Sequence, residues 1–222
     1  MHLTMNLEQA RYNMVEQQIR PSEPMREDVR ELLHVVRRED FVPAAYRHLA
    51  FADCPLPLGH GAAMLTPRTE AAAVQALAPR KHEHILEIGT GSGYMAALLA
   101  IHADRVLSVE IVAELAEGAR ANLQRVGMSN VVVDTGNGFA VALADADQYD
   151  VIMVSGGVTE VPAELLAKLK IGGRLFGFVG SAPVQTARLF TRVGDTAYRS
   201  QGMFETDVGS LRQVPVRREF QF

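Results

Sequence analysis

An apolar run closes on Glu87-Ile88, the loop Gly89-Thr90-Gly91-Ser92-Gly93 follows, and a second apolar run opens at Tyr94. Residues 84–99 read HILEIGTGSGYMAALL. This stretch limits the fold more than any other. Three glycines in five residues end a strand and allow φ > 0 turns that other residues resist. A strand that turns so tightly into a helix belongs to an open α/β sheet, where ligands bind at the carboxyl ends of the strands. The same residues also make a plain strand–helix turn, so the loop alone does not name a ligand.

Spacing narrows the ligand. A dinucleotide-binding loop reads G-x-G-x-x-G/A. Here the third glycine arrives one position early, and Tyr94 fills the slot that should be small. Glu87 stands beside the loop, where a carboxylate repels a pyrophosphate and attracts an ammonium. S-adenosylmethionine carries an ammonium and a sulfonium and no phosphate. The pattern therefore favours it over a nicotinamide dinucleotide.

The rest of the chain continues the α/β pattern. Apolar runs at 85–88, 105–110, 131–134, 151–154 and 174–179 predict strands, and 94–102, 113–126, 138–144 and 162–169 predict helices. Near-continuous apolar strands alternating with helices argue for a parallel sheet covered on both faces. After Gly180 the chain turns strand-rich, at 186–193 and 211–220, with Gly194-Asp195 as a turn. The front reads helical at 6–19 and 22–36, with Pro24 in a first turn, and as a short turn at 43–46. A loop at 53–61 leads to a helix from Pro67 to about residue 78, with Thr66 as its N-cap. We read residues 1–222 as one domain: 1–80 a helical cap and substrate-side loop, 81–180 the cofactor-binding core, 181–222 C-terminal strands.

Composition excludes several classes. Hydrophobic residues are 48% and charged ones 22%, which suits a globular core and not a disordered chain. The net charge of −4 offers no field for a polyanion, so no nucleic acid is expected. The apolar run at 94–103 is far short of the roughly 20 residues of a membrane span, so no membrane is expected. Cys54 is the single cysteine, which fits a reducing, cytoplasmic setting. It reads as a small apolar residue or as a reactive thiol. Seven histidines show no metal-ligand spacing, His82 and His84 included, so no metal is expected. Nothing here sets an oligomeric state.

Three more stretches mark the sheet edge. Glu110 ends the second strand at about the ~20-residue spacing where an acid holds ribose hydroxyls. Ile111 would follow it against an adenine face. A solvated strand-end acid is the plainer reading of Glu110. Asn137, in DTGNGFA, follows the third strand with Gly138 beside it. Its side-chain oxygen can accept from an adenine amino group, although Gly-Asn-Gly also makes a simple turn. Ser155, in VSGG, ends the fourth strand at the edge facing a methyl group and its acceptor.

Several segments resemble the protein-L-isoaspartate O-methyltransferase family, over nearly the whole chain. They are MVEQQIR (Met14 to Arg20), FVPAAYRHLAFADCPLPLGHG (Phe41 to Gly61), ILEIGTGSGY, VPAELLAKLKIGGRL (Val161 to Leu175) and VPV (Val214 to Val216). The resemblance implies a Rossmann-like methyltransferase fold: α/β, a mostly parallel seven-stranded sheet with helices on both faces, and a helical N-terminal cap. It implies S-adenosyl-L-methionine as cofactor, S-adenosyl-L-homocysteine as product, and isoaspartyl residues of damaged proteins or peptides as acceptors. It places Glu87, Gly89, Thr90, Gly91, Gly93, Glu110, Ile111, Asn137, Gly138 and Ser155 at the cofactor. It places His60, Ala63, Leu65, Thr66 and Val214 on the substrate side.

The sequence departs from the family at the substrate side. There Gly-x-Gly is usually followed by Gln-Thr-Ile-Ser-x-Pro, whose Thr and Ser hydroxyls line the acceptor site. Here the run is Ala62-Ala63-Met64-Leu65-Thr66-Pro67, so Ala63 and Leu65 replace the hydroxyls. The family's Gly-Asp-Gly is Gly136-Asn137-Gly138, and its Thr-Ala-Ala is Ser155-Gly156-Gly157. Thr66 is a weak catalytic candidate with helix capping as its plainer task, and His60 and Arg68 are exposed loop candidates. Three readings follow: an isoaspartyl methyltransferase, a methyltransferase of another acceptor, and a non-catalytic cofactor-binding protein.

Overall fold

The period-2 alternation of the core strands decides how the layers pack. In the computed structural model, which describes residues 6–21, 24–146 and 148–215, seven strands form one sheet. They are β3 (His84–Ile88), β4 (Arg105–Glu110), β5 (Val131–Thr135), β6 (Tyr149–Val158), β7 (Leu169–Ser181), β8 (Val184–Arg192) and β9 (Tyr198–Thr206). Their order is β5-β4-β3-β6-β7-β8-β9, with β5 to β7 across the sheet parallel and β8 and β9 antiparallel. Ile85, Val151, Met153, Phe176 and Phe178 point to one face, into a core shared with α3 (Pro67–Leu77), α4 (Tyr94–Ala100) and α5 (Ala113–Arg125). Leu86, Ile88, Ile152, Val154 and Leu175 point to the other, onto α6 (Gly138–Ala144) and α7 (Ala163–Ala167).

The front segment joins the first of these cores. Helix α1 (Leu7–Asn13) runs on into a π-helical turn, Met14–Ile19, which buries Met14, Val15 and Ile19. Helix α2 (Glu27–Val35) starts later than expected, and residues 22 and 23 lie outside the described residues. The cause is Gln75. Its amide nitrogen donates to the Pro24 carbonyl at 3.1 Å and its oxygen accepts from Arg26 N–H at 2.8 Å. That pairing imitates a strand partner and holds Pro24 to Arg26 extended.

Three further expectations change. The loop expected at 53–61 contains a hairpin, β1 (Leu56–Gly59) and β2 (Ala62–Met64), turned through Gly59, His60 and Gly61 at φ +87°, +54° and +75°. Serine-glycine-glycine 155–157 lies inside β6, where the pairing with β7 slips between Met153 and Gly157. A bulge of this kind re-aims side chains beside a site, and Ser155 is the residue it re-aims. The strand expected at 211–220 is absent over 211–215, and the remainder lies outside the described residues. The edge strand β9 stands in its place, and residues 207–215 cross the sheet end as a strap.

Candidate active site

The strand order reverses between β3 and β6, whose neighbours diverge to β4 and β7. That switch point opens a crevice at the carboxyl ends of the strands. A cleft of ≈ 800 Å³, counted out to its open mouth, lies there. Its walls are the glycine loop, the end of β4, the start of α6, the β1–β2 hairpin and the strap. The size suits a nucleoside-type ligand.

Six of the residues expected at the cofactor line this cleft: Gly89, Gly91, Glu110, Ile111, Gly138 and Ser155. Glu110 is buried at 6% exposure and already engaged. One oxygen accepts from Gly91 N–H at 2.8 Å and the other from Val112 N–H at 3.1 Å. A carboxylate has about four lone-pair sites, so each oxygen can accept once more. The loop's own amides are less available: Gly89 N–H donates to the Val109 carbonyl and Gly91 N–H to Glu110. The glycines therefore serve close approach, not anion binding. Gly89 and Gly91 sit at φ +94° and +54°.

Four of the expected residues do not line this cleft itself, although Glu87 and Thr90 line a small adjoining pocket that shares Gly89, Gly91, Ser155, Ala63 and Leu65 with it. Glu87 is fully buried beneath the loop, where its oxygens accept from Ser108 Oγ at 2.7 Å and Ser155 Oγ at 2.8 Å. Burial pushes its carboxyl up to about 8, against the pull of those two hydroxyls. Thr90 faces the same layer, with its hydroxyl 2.6 Å from Ser108 Oγ. Gly93 lets α4 start against α5, since a Cβ there would sit 3.3 Å from Leu123. Asn137 caps α6: its oxygen accepts from Phe139 N–H at 3.0 Å and Ala140 N–H at 3.4 Å. That oxygen is turned into its own helix.

On the substrate side, His60, Ala63 and Leu65 line the cleft, and Thr66 and Val214 do not. Thr66 caps α3 by accepting from Thr69 N–H at 3.3 Å and opens on a neighbouring pocket. Val214 packs against the α6 and α7 side of the core. Capping is the role of Thr66 that the geometry shows. Arg68 pairs with Asp53 at 2.6 Å.

Sequence reasoning missed the supports of this wall. Arg38, 0% exposed, donates to the Leu65 carbonyl at 2.8 Å and the Ala50 carbonyl at 3.0 Å, and pairs with Glu70 of α3. Its guanidinium also lies 5.3 Å from the Tyr94 ring centre. Burial pushes the Glu70 carboxyl up to about 7, with Arg38 opposing. One buried cation thus ties the hairpin's end to the front segment and to α3. The strap was missed as well. Gln185 holds it through Val208, donating to its carbonyl at 3.0 Å and accepting from its N–H at 2.9 Å. Gly157 pairs with Gly209 and Leu211, and Asn137 donates to the Gln213 carbonyl at 3.2 Å. The breakers Gly209-Ser210 and Pro215 were the available signal against a strand there.

Comparison with known proteins agrees with this geometry. The model of the family Protein-L-isoaspartate(D-aspartate) O-methyltransferase (PCMT) matches residues 9–216. Protein-L-isoaspartate O-methyltransferase 2 of Marinobacter nauticus is 38% identical over 192 residues, 86% of this chain and 85% of that one. Protein-L-isoaspartate O-methyltransferase of Myxococcus xanthus is 44% identical over 152 residues, 68% and 71% of the two chains. Among solved structures, a beta-aspartate methyltransferase (PCMT) from Plasmodium falciparum in complex with S-adenosyl-L-homocysteine superposes with a TM-score of 0.78. It is 18% identical, with 95% of this chain and 100% of that one covered, which speaks for the fold.

Proposed function

The chain belongs to the protein-L-isoaspartate O-methyltransferase family, and on that premise we propose that it methylates the free carboxylate of isoaspartyl residues in damaged proteins. It is an S-adenosylmethionine-dependent methyltransferase. The observation that carries the reading is Glu110, held by Gly91 and Val112 at the switch-point cleft with lone pairs to spare.

The residues present fit the cofactor. Glu110 offers acceptors for two ribose hydroxyls, and Ile111 and Phe139 offer apolar surface for a base. Ser155 gives its proton to Glu87 and keeps its lone pairs for an ammonium. Glu87 then acts through Ser155 by fixing that hydroxyl. When bound, the cofactor supplies a methyl group on a positively charged sulfur.

The chain's own task is placement. A carboxylate acceptor is ionised at neutral pH, so no general base is needed. Catalysis rests on alignment, which can supply about 7–11 kcal/mol when reacting atoms are held near attack distance. The hairpin and strap form two sides of the cleft. The absence of a His-Asp or Cys-His pair from this reading is therefore consistent with the chemistry.

We read the three segments as one domain, a reading supported by the core that Met14 to Leu77 of the front segment share with the sheet. A cytoplasmic setting is supported by the lone Cys54. No helix among the described residues is long and apolar enough to cross a membrane. A second reading, a different acceptor, is favoured by the apolar Ala63 and Leu65. Incubation with methyl-labelled cofactor separates the two. We expect base-labile label on an isoaspartyl peptide and none on the same peptide with normal aspartate. An unlabelled isoaspartyl peptide would overturn the first reading.

A further inference from the structure

The hairpin that should offer hydroxyls to the acceptor offers a methyl and an isobutyl group instead. A carboxylate brought to that wall still needs donors, because an anion stripped of water without hydrogen bonds is strongly disfavoured. The strap places Arg212 at the same cleft. One amino group of its guanidinium donates to the His60 carbonyl at the hairpin tip. Among the described residues that is its only hydrogen bond, and no carboxylate pairs with it. The other residues of ordinary charge at the cleft reduce to Glu110, whose oxygens are bonded to Gly91 and Val112.

We infer that Arg212 holds the carboxylate of the methyl acceptor, replacing the two hydroxyls lost at Ala63 and Leu65. This rests on the carboxylate-methylation reading above. A guanidinium carries five N–H donors in a planar fork that matches a carboxylate. The His60 carbonyl takes one donor and fixes the group over the cleft, and the others stay available. One acceptor oxygen sits on the guanidinium, and the second remains free. That free oxygen forms the new bond to the methyl carbon as the carbon–sulfur bond breaks, the electron pair stays on sulfur, and no proton moves. The same contact gives selectivity: a neutral acceptor of equal size leaves the cation unpaired.

The test reads binding, so turnover is not required. Calorimetry measures an isoaspartyl peptide titrated into enzyme saturated with S-adenosylhomocysteine. Wild type is expected to bind the peptide at least about tenfold more tightly than Arg212→Met, the effect of a charge-assisted hydrogen bond. Affinity for S-adenosylhomocysteine should be equal in the two proteins. Equal peptide affinities, or no peptide binding by wild type, overturn the inference. Should the methionine variant lose S-adenosylhomocysteine, Arg212→Gln takes its place, since it can still donate to the His60 carbonyl without the charge. Methyl transfer by wild type decides the activity separately. A wild type that binds the peptide through Arg212 and transfers nothing refutes the activity and leaves the carboxylate contact standing.

Discussion

On the cofactor side of the cleft, the polar groups are fixed by strand ends: Glu110 takes two backbone N–H groups, and Glu87 takes Ser108 and Ser155 from the flanking strands. On the acceptor side, the wall is a short hairpin and an irregular strap. Side chains hold it: Arg38 from the front segment, Gln185 from β8, Asn137 at the N-cap of α6 and Arg212 from the strap. Sheet register fixes the first wall, so its chemistry changes little with surface substitution. The second wall can exchange one donor for another, as Ala63, Leu65 and Arg212 illustrate.

The largest effect should come from Arg38. Arg38→Met leaves Glu70 buried without its cation, and unfolding free energy should fall by about 3–5 kcal/mol in denaturant titration. Below its transition the variant should still bind S-adenosylhomocysteine, because the lost contacts belong to the acceptor wall. Loss of both together would erase the distinction between the walls.

Next is Glu110. Glu110→Ala removes the hydroxyl acceptors and leaves Gly91 and Val112 N–H without partners. Affinity for S-adenosylhomocysteine should drop by about 100-fold in calorimetry, a change of about 3 kcal/mol. Near-normal binding would refute the ribose assignment.

The buried carboxyl sharpens the comparison through pH. Glu87 goes from an ordinary value of 4.5 to about 8 on folding. Between those values the folded state keeps a proton that the unfolded state has lost. Its contribution is fully present below 4.5 and is lost as pH rises through 8, at up to about 1.4 kcal/mol per pH unit. Glu70, raised to about 7, adds the same sign. Stability measured from pH 5 to 8 should therefore decline, and Glu87→Gln should flatten the decline. An unchanged slope would remove Glu87 from the account.

The smallest effect is expected at Leu65. With Arg212 holding the carboxylate, Leu65→Ser should change the KM for an isoaspartyl peptide by less than about threefold, no more than one neutral hydrogen bond. A gain of tenfold would return the missing hydroxyl to the centre of the explanation.

The legibility of the sequence follows the same division. The runs of β3, β4 and β6 were readable because buried parallel strands are nearly continuously apolar, and Glu110 was readable from its spacing. The β1–β2 hairpin was not, because PLPLG and AAM are too short and too proline-rich to alternate. Strand β9, YRSQGMFET, was hidden by its exposure at the sheet edge, where polar residues carry no period. The run LRQVP, 211–215, reads as part of a strand yet serves as a strap, since its partners are the side chain of Asn137 and the end of β6. Contacts such as Arg38 to Leu65, 27 residues apart, leave no local pattern to read.

The most direct test of the whole account is the affinity of the purified protein for S-adenosylhomocysteine by calorimetry. The residues proposed to hold the cofactor all belong to this chain, so one site per chain with micromolar or tighter binding is predicted. No binding at high micromolar ligand would contradict the cofactor assignment, and with it the methyltransferase reading.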